Sequence, residues 1–227
     1  MAAVPQVKIC GLCRPADAAA AVAAGAAYVG VILTSGHRRS RTLEEAAAIY
    51  GAATGARRVG VFVDAPEHDV LEAARALRLD VLQLHGAESA AQVAALAGAG
   101  PWQVWKALRP RTVAELEEGV ATYGAVAAAL LVDGYDPAAA GGTGAPFPAA
   151  AAAVARRGLP AGVRFVAAGG LTPANVAAIV AAVAPDIVDV SSGVESAPCT
   201  KDPDRMHAFV TRARSAGTSL TRAEGAV

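Results

Sequence analysis

The sequence predicts an α/β protein, a single-domain (β/α)8 TIM barrel, on three observations. Short apolar runs recur at roughly 25-residue spacing along the 227 residues. Eight such runs are present, and an alanine-rich segment of helical periodicity follows each one. Alternating β and α elements imply a parallel sheet, and eight continuous runs fit a closed barrel better than an open doubly wound sheet.

The first run, 4–9, leads into helical residues 16–24. The second, 28–33, switches from alanine to Tyr28-Val29-Gly30-Val31-Ile32-Leu33, whose β-branched and aromatic residues suit a buried strand. The uncharged stretch 18–33 is therefore a helix and a strand divided by Gly25, and it falls short of the ~20 apolar residues that cross a bilayer. Thr42, with Glu45 three residues on, forms a capping box that starts helix 43–53. Strand 59–63 precedes helix 70–77, with Pro66 in a first-turn position. Strand 81–84, helix 90–97, strand 104–108 and helix 113–123 continue the alternation into strand 127–132. Helix 149–156, strand 165–168, helix 175–183, strand 187–190 and helix 204–214, opened by Pro203, complete it. Beyond Ala216 the apolar pattern is lost. The barrel domain is expected to span 1–216, with a frayed tail at 217–227.

Twenty basic and twenty acidic residues cancel and are mixed along the chain, so no electrostatic footprint for nucleic acid or an anionic membrane exists. A small soluble substrate is the expected partner. Three cysteines make no disulfide framework, and no charged, apolar and cleavable leader opens the sequence, which points to the cytoplasm. The abundant alanine carries no functional weight.

TIM barrels do their chemistry at the C-terminal ends of the strands. Cys10 closes the first run and Asp133 the sixth, so a thiol and a carboxyl become candidate base and acid around one pocket. Period-two alternation places Lys8 on the same face as Cys10, where a cation favours the thiolate. The bland alternatives are a small buried hydrophobe for Cys10 and a loop cap for Asp133. Cys10-Gly11-Leu12-Cys13 is also a CxxC. Zinc, however, needs a second ligand pair that the chain lacks, and a redox dithiol needs a thioredoxin-like fold that the element count opposes. No metal is expected.

Three glycine-rich stretches follow late strands: Gly141-Gly142-Thr143-Gly144, Gly169-Gly170, and Ser191-Ser192-Gly193. Backbone N–H groups in such loops close on phosphate oxygens, and barrels bind phosphate on the loops after strands seven and eight. His85, just past the fourth run, either lines the pocket or caps a turn. Within His37-Arg38-Arg39-Ser40-Arg41, after the second run, one arginine could hold a substrate carboxylate, with a solvated loop as the alternative.

These segments together resemble the phosphoribosylanthranilate isomerase family over residues 7–209. The resemblance is carried by Lys8-Ile9-Cys10-Gly11-Leu12, Gly60-Val61-Phe62-Val63, Leu82-Gln83-Leu84-His85-Gly86, Gly141-Gly142-Thr143-Gly144, Ala168-Gly169-Gly170-Leu171 with Pro173 and Asn175, and Val188-Asp189-Val190-Ser191-Ser192-Gly193-Val194-Glu195. It implies an Amadori rearrangement in tryptophan biosynthesis. Asp133 would protonate the ribose ring oxygen and open the furanose to a Schiff base, and Cys10 would remove the C2′ proton to give an enolamine. The product would be 1-(2-carboxyphenylamino)-1-deoxyribulose 5-phosphate. No cofactor is implied, because the imine made from the substrate's own amine is the electron sink. Gly142, Gly144, Gly169, Gly170, Ser191, Ser192 and Gly193 would surround the phosphate. Arg39 would lie near the anthranilate carboxylate and His85 would line the pocket. Asp189 would sit inside the barrel, close enough to Lys8 to pair with it or to help hold substrate. A monomer or homodimer is implied.

The chain departs from the family pattern in three places. The 37–41 segment replaces the usual Ser-Pro-Arg or Ser-Lys-Arg followed by an aromatic, leaving Arg41 as a rival to Arg39. After Gly144, Ala145-Pro146-Phe147-Pro148 replaces a lysine and a Phe-Asp-Trp. Cys13 stands where threonine is common and offers Cys10 an oxidation partner. Among alternatives, the histidine-pathway sugar isomerases carry a carboxylate at position 10, and indole-glycerol-phosphate synthases need a lysine and a glutamate with no counterpart here. A metal-dependent epimerase needs several inward histidines. A phosphate-sugar binder without turnover is the alternative from another class.

Overall fold

The computed structural model describes residues 4–134, 153 and 156–224. Its eight strands, β1 (Gln6–Ile9), β2 (Tyr28–Ile32), β3 (Arg57–Phe62), β4 (Val81–Leu84), β5 (Gln103–Leu108), β6 (Ala129–Asp133), β7 (Arg164–Ala168) and β8 (Ile187–Val190), form one closed parallel barrel in sequence order. Closure brings β1 beside β8 with Val7 opposite Val188 and Lys8 opposite Asp189. Every predicted run falls on one of these strands.

The outer helices are α1 (Pro15–Ala23), α2 (Leu43–Gly51), α3 (Glu67–Leu77), α4 (Ala90–Gly98), α5 (Val113–Tyr123), α6 (Val176–Val183) and α7 (Pro203–Glu224). Most of the expected helix 149–156 lies outside the described residues. The Thr42–Glu45 capping box starts α2, and an equivalent Ser89–Gln92 box starts α4. Two features differ from the sequence expectation. Helix α7 continues to Glu224, into the segment read as a frayed tail. After β8 the chain makes a 3-10 turn, Ser192–Val194, and a small antiparallel hairpin of β9 (Glu195–Ala197) and β10 (Thr200–Lys201).

Strand alternation divides the core in two. Outward-facing side chains such as Val7, Ile9, Val29, Leu82, Leu130 and Val188 pack under the helices. Inward-facing Tyr28, Val59, Val81, Trp105, Leu131 and Ile187 fill the barrel, with the Tyr28 and Trp105 rings in edge contact at 5.0 Å. Below them a polar lattice closes the N-terminal end. The Tyr28 hydroxyl accepts from Arg57 at 3.0 Å and Arg164 at 2.6 Å and donates to Gln6 at 3.2 Å. A surface cleft of about 670 Å³, lined by Arg57, Arg75, Arg78, Trp102 and Gln103 among others, lies at this same end. No helix among the described residues is long and apolar enough to cross a membrane.

Candidate active site

The polar interior residues that the N-terminal end does not use sit at the other end of the barrel. From β1, Lys8 and Cys10 both point inward, and Gly30 on the neighbouring β2 makes their space: a Cβ there would lie 2.9 Å from Cys10 Sγ and 3.1 Å from Lys8 Cε. Lys8 Nζ donates to both carboxylate oxygens of Asp189 at 3.0 Å, in a pair closed off from solvent. Burial alone favours the neutral amine, but Asp189 and Cys10 outweigh it and hold the Lys8 pKa above its ordinary value.

That pairing revises the sequence expectation for Cys10. Burial pushes the thiol above the usual cysteine range, Lys8 pulls it down, and the nearby Asp189 carboxylate adds to the upward push. Lys8 is thus the counter-ion of Asp189 before it is an activator of the thiol. For the Cys10–Cys13 pair that the CxxC suggested, the two thiols have different neighbours. Cys10 Sγ faces Gly30, whereas the Cys13 thiol donates to the Gly11 carbonyl at 3.6 Å and has as its neighbour the Cys199 thiol of the β9–β10 turn, which donates to the Arg38 carbonyl at 3.4 Å. Burial and that contact raise the Cys13 thiol to about 11.

Across the barrel, Asp133 ends β6 on the inward face shared with Leu131 and Ala129. Its Oδ2 lies 3.3 Å from His85 Nε2, and His85 Nδ1 lies 3.0 Å from Gln83 Nε2. His85 is fixed through its backbone, donating to Phe62 at 2.7 Å and accepting from Arg109 at 2.6 Å. It lines the mouth of the barrel and does not merely cap a turn. Gly169 follows β7 with φ +85°, and a Cβ there would collide with the Asp133 carboxylate and the Gly134 backbone. The loop after β7 can thus close over the acid only because position 169 lacks a side chain. Cys10 and Asp133 share one end and one interior.

The loops after β7 and β8 lie together. Gly170, also at positive φ, is tied down by Asn175, whose Nδ2 donates to the Gly170 carbonyl at 2.9 Å. Gly193 backs onto the Leu171 carbonyl, and Ser191 leads into the turn that holds Ser192 and Gly193. Gly142 and Gly144 lie outside the described residues.

The arginine cluster separates by function. Arg39 is buried over Gly11: a Cβ on Gly11 would lie 2.6 Å from Arg39 Cδ and 2.8 Å from Ser191 Oγ. Arg41 turns away and braces the first loop through the Cys13 carbonyl at 3.3 Å. Arg39 grips Glu195 with two bonds, Nε to Oε1 at 2.7 Å and the guanidinium NH2 to Oε2 at 2.8 Å. Lys201 joins the same carboxylate at 3.1 Å and the Ser191 carbonyl at 3.1 Å. Burial opposes the charge on Glu195, yet the two cations hold its pKa below the ordinary carboxylate range. Glu195 and Lys201 have no role in the sequence reading. One signal was available: only three lysines occur among twenty basic residues. All three are buried, each against a carboxylate, as Lys8–Asp189, Lys106–Glu88 and Lys201–Glu195.

Residues 7–212 match the family model for N-(5′-phosphoribosyl)anthranilate (PRA) isomerase. The N-(5′-phosphoribosyl)anthranilate isomerase of Ruegeria sp. (strain TM1040) is 39% identical over 214 residues, which cover 92% of this chain and 98% of that relative. The crystal structure of phosphoribosyl anthranilate isomerase from Thermotoga maritima superposes with a TM-score of 0.84 at 31% identity, covering 93% of this chain and 99% of that one. A crystal structure of a phosphoribosyl anthranilate isomerase in complex with reduced 1-(o-carboxyphenylamino)-1-deoxyribulose 5-phosphate superposes with a TM-score of 0.80 at 30% identity, covering 93% of this chain and 99% of that one.

Proposed function

The chain belongs to the N-(5′-phosphoribosyl)anthranilate isomerase family, and we propose that Cys10 and Asp133 are the base and the acid of its reaction. That reaction is the Amadori rearrangement of N-(5′-phosphoribosyl)anthranilate to 1-(2-carboxyphenylamino)-1-deoxyribulose 5-phosphate, the isomerase step of tryptophan biosynthesis.

The carrying observation is the placement of a thiol and a carboxyl on the inward faces of β1 and β6 at one barrel end. Asp133 delivers a proton to the furanose ring oxygen, the C1′–oxygen bond breaks, and the anthranilate nitrogen lone pair forms the imine. Cys10, as thiolate, removes the C2′ proton, and the electron pair moves onto the imine nitrogen to give the enolamine. Tautomerisation then yields the ketose. The substrate carries its own electron sink, so neither metal nor organic cofactor has a step to perform.

The phosphate rests on the backbone of Gly169, Gly170, Ser191, Ser192 and Gly193, completed by Gly142 and Gly144. Arg39 addresses the anthranilate carboxylate with the part of its guanidinium that Glu195 does not hold, and Asp189 serves the site through Lys8. His85 sits behind the acid. The active form is a monomer or a homodimer.

Turnover of freshly prepared N-(5′-phosphoribosyl)anthranilate by Cys10→Ala tests the assignment. Expected is a loss of ~10²–10⁴ in kcat with substrate still bound. Turnover at the parent rate would remove Cys10 from the mechanism. Binding without turnover by the parent protein would favour the non-catalytic binder.

A further inference from the structure

The Gln83 side chain has no place in the mechanism above. It points into the barrel from β4, is 1% exposed, and its Oε1 is a buried oxygen without a hydrogen-bond partner among the described residues. A buried orphan acceptor costs about 1–3 kcal/mol, and water or an alternative geometry normally relieves it. Its Nε2, in contrast, is engaged with His85 Nδ1. Gln83, His85 and Asp133 therefore form a line from the closed interior to the reacting end.

Resting on the reading of Asp133 as the acid, we propose that Gln83 is a positioning residue that governs whether the His85–Asp133 pair holds the proton for ring opening. An imidazole between an amide and a carboxyl has two consistent arrangements. In the first, Gln83 Nε2 donates to a bare Nδ1, so neutral His85 carries its hydrogen on Nε2 and donates it to an ionised Asp133. No proton is then available for the ring oxygen. In the second, the Gln83 amide is turned by a half rotation, and Oε1 accepts from an Nδ1–H. His85 can then be an imidazolium beside a carboxylate, or a neutral Nδ1–H imidazole beside a protonated Asp133.

These last two forms differ only by one proton moving from Nε2 to Oδ2, and both carry one proton more than the first arrangement. Delivery sends the Oδ2 proton to the ring oxygen and leaves Asp133 ionised and His85 neutral. The pair is reloaded from solvent as Cys10 releases the C2′ proton to it, so the cycle consumes no net proton. The orphan oxygen is thus the acceptor of the loaded state. Other charged groups near His85 are placed elsewhere on it or beyond it. Arg109, after β5, reaches only its carbonyl, while Asp64, Glu88 and Lys106 surround the next residue, Gly86. Only Gln83 and Asp133 bond the ring nitrogens among the described residues.

The test combines ¹⁵N NMR of the His85 ring with the pH profile of kcat in the intact protein, its Gln83→Glu and Gln83→Met variants, and Asp133→Asn. In the parent, neutral His85 should carry its hydrogen on Nε2. Gln83→Glu presents only acceptors once its carboxyl is ionised, so above that ionisation Nδ1–H should predominate, and the limb of the profile that reports the pair should rise by about one pH unit. Gln83→Met should lower kcat about tenfold with KM within about twofold. An unchanged tautomer in Gln83→Glu, or a changed tautomer with both limbs unmoved, overturns the proposal. Full activity in Asp133→Asn instead overturns the assignment of the acid, and the ring spectra still report the coupling of Gln83 to His85.

Discussion

The two ends of the barrel are built from the same strands and put polar side chains to opposite uses. At the N-terminal end, the Tyr28 hydroxyl, the Gln6 amide and two guanidiniums satisfy one another beneath an apolar plug. At the C-terminal end, inward polar groups are held from behind and left facing the interior. Lys8 holds Asp189, Glu195 holds Arg39, and His85 stands behind Asp133. A closed lattice stabilises the fold, whereas a set supported from behind and aimed into the barrel mouth can act on a ligand.

Crossed substitutions at the two ends give the largest contrast. Asp133→Asn should lower kcat by ~10²–10⁴ with an almost unchanged melting temperature. Trp105→Ala should remove about 3–5 kcal/mol of stability through the cavity it leaves, while kcat per folded molecule stays near the parent value. Calorimetry beside steady-state kinetics separates the two, and equal losses of both properties at both ends would erase the distinction.

Asp189→Asn sharpens it. The change leaves the Lys8 ammonium buried without a counter-charge, a situation that costs about 3–5 kcal/mol. Denaturant unfolding should show that loss. A variant as stable as the parent would make Asp189 a substrate ligand alone.

Smaller effects follow from Glu195. The folded state holds its carboxyl below the ordinary value of ~4.3, so it binds fewer protons there than the unfolded chain does. The resulting stability is fully present above that value and drains away as pH falls towards the folded pKa. Acid titration of unfolding in Glu195→Gln should show a shallower loss, together with a higher KM as Arg39 loses its anchor.

The smallest expected effect concerns the thiols. A peroxide that converts two of them to a disulfide, with release of two waters, should join Cys13 to Cys199 and leave Cys10 free. Peptide mass mapping reads this directly, and a Cys10–Cys13 linkage would contradict the placement of these side chains.

The barrel was legible because each strand is a continuous apolar run, and continuity along the chain is what a sequence displays best. Cys10, Asp133 and His85 were legible for a related reason: each stands where such a run ends. The supports behind them join residues far apart in the chain. Lys8 meets Asp189, a pairing that only the family resemblance implied, and Arg39 meets Glu195, once β8 has closed on β1 and the β9–β10 hairpin has folded back. Hence the alternation rule placed Lys8 beside Cys10 correctly but missed how strongly Asp189 claims it. Gln83 lies in a motif that gives it no role, because the orphan oxygen exists only once the interior is packed. The extension of α7 beyond Ala216 had no apolar stripe to announce it.

Every ε-amino group of this chain is sequestered by a carboxylate partner. Acylating reagents, and enzymes that acetylate or ubiquitinate lysine, therefore meet a folded molecule that presents them no ε-amino group, and modification of any lysine becomes a record of how often the native state has opened.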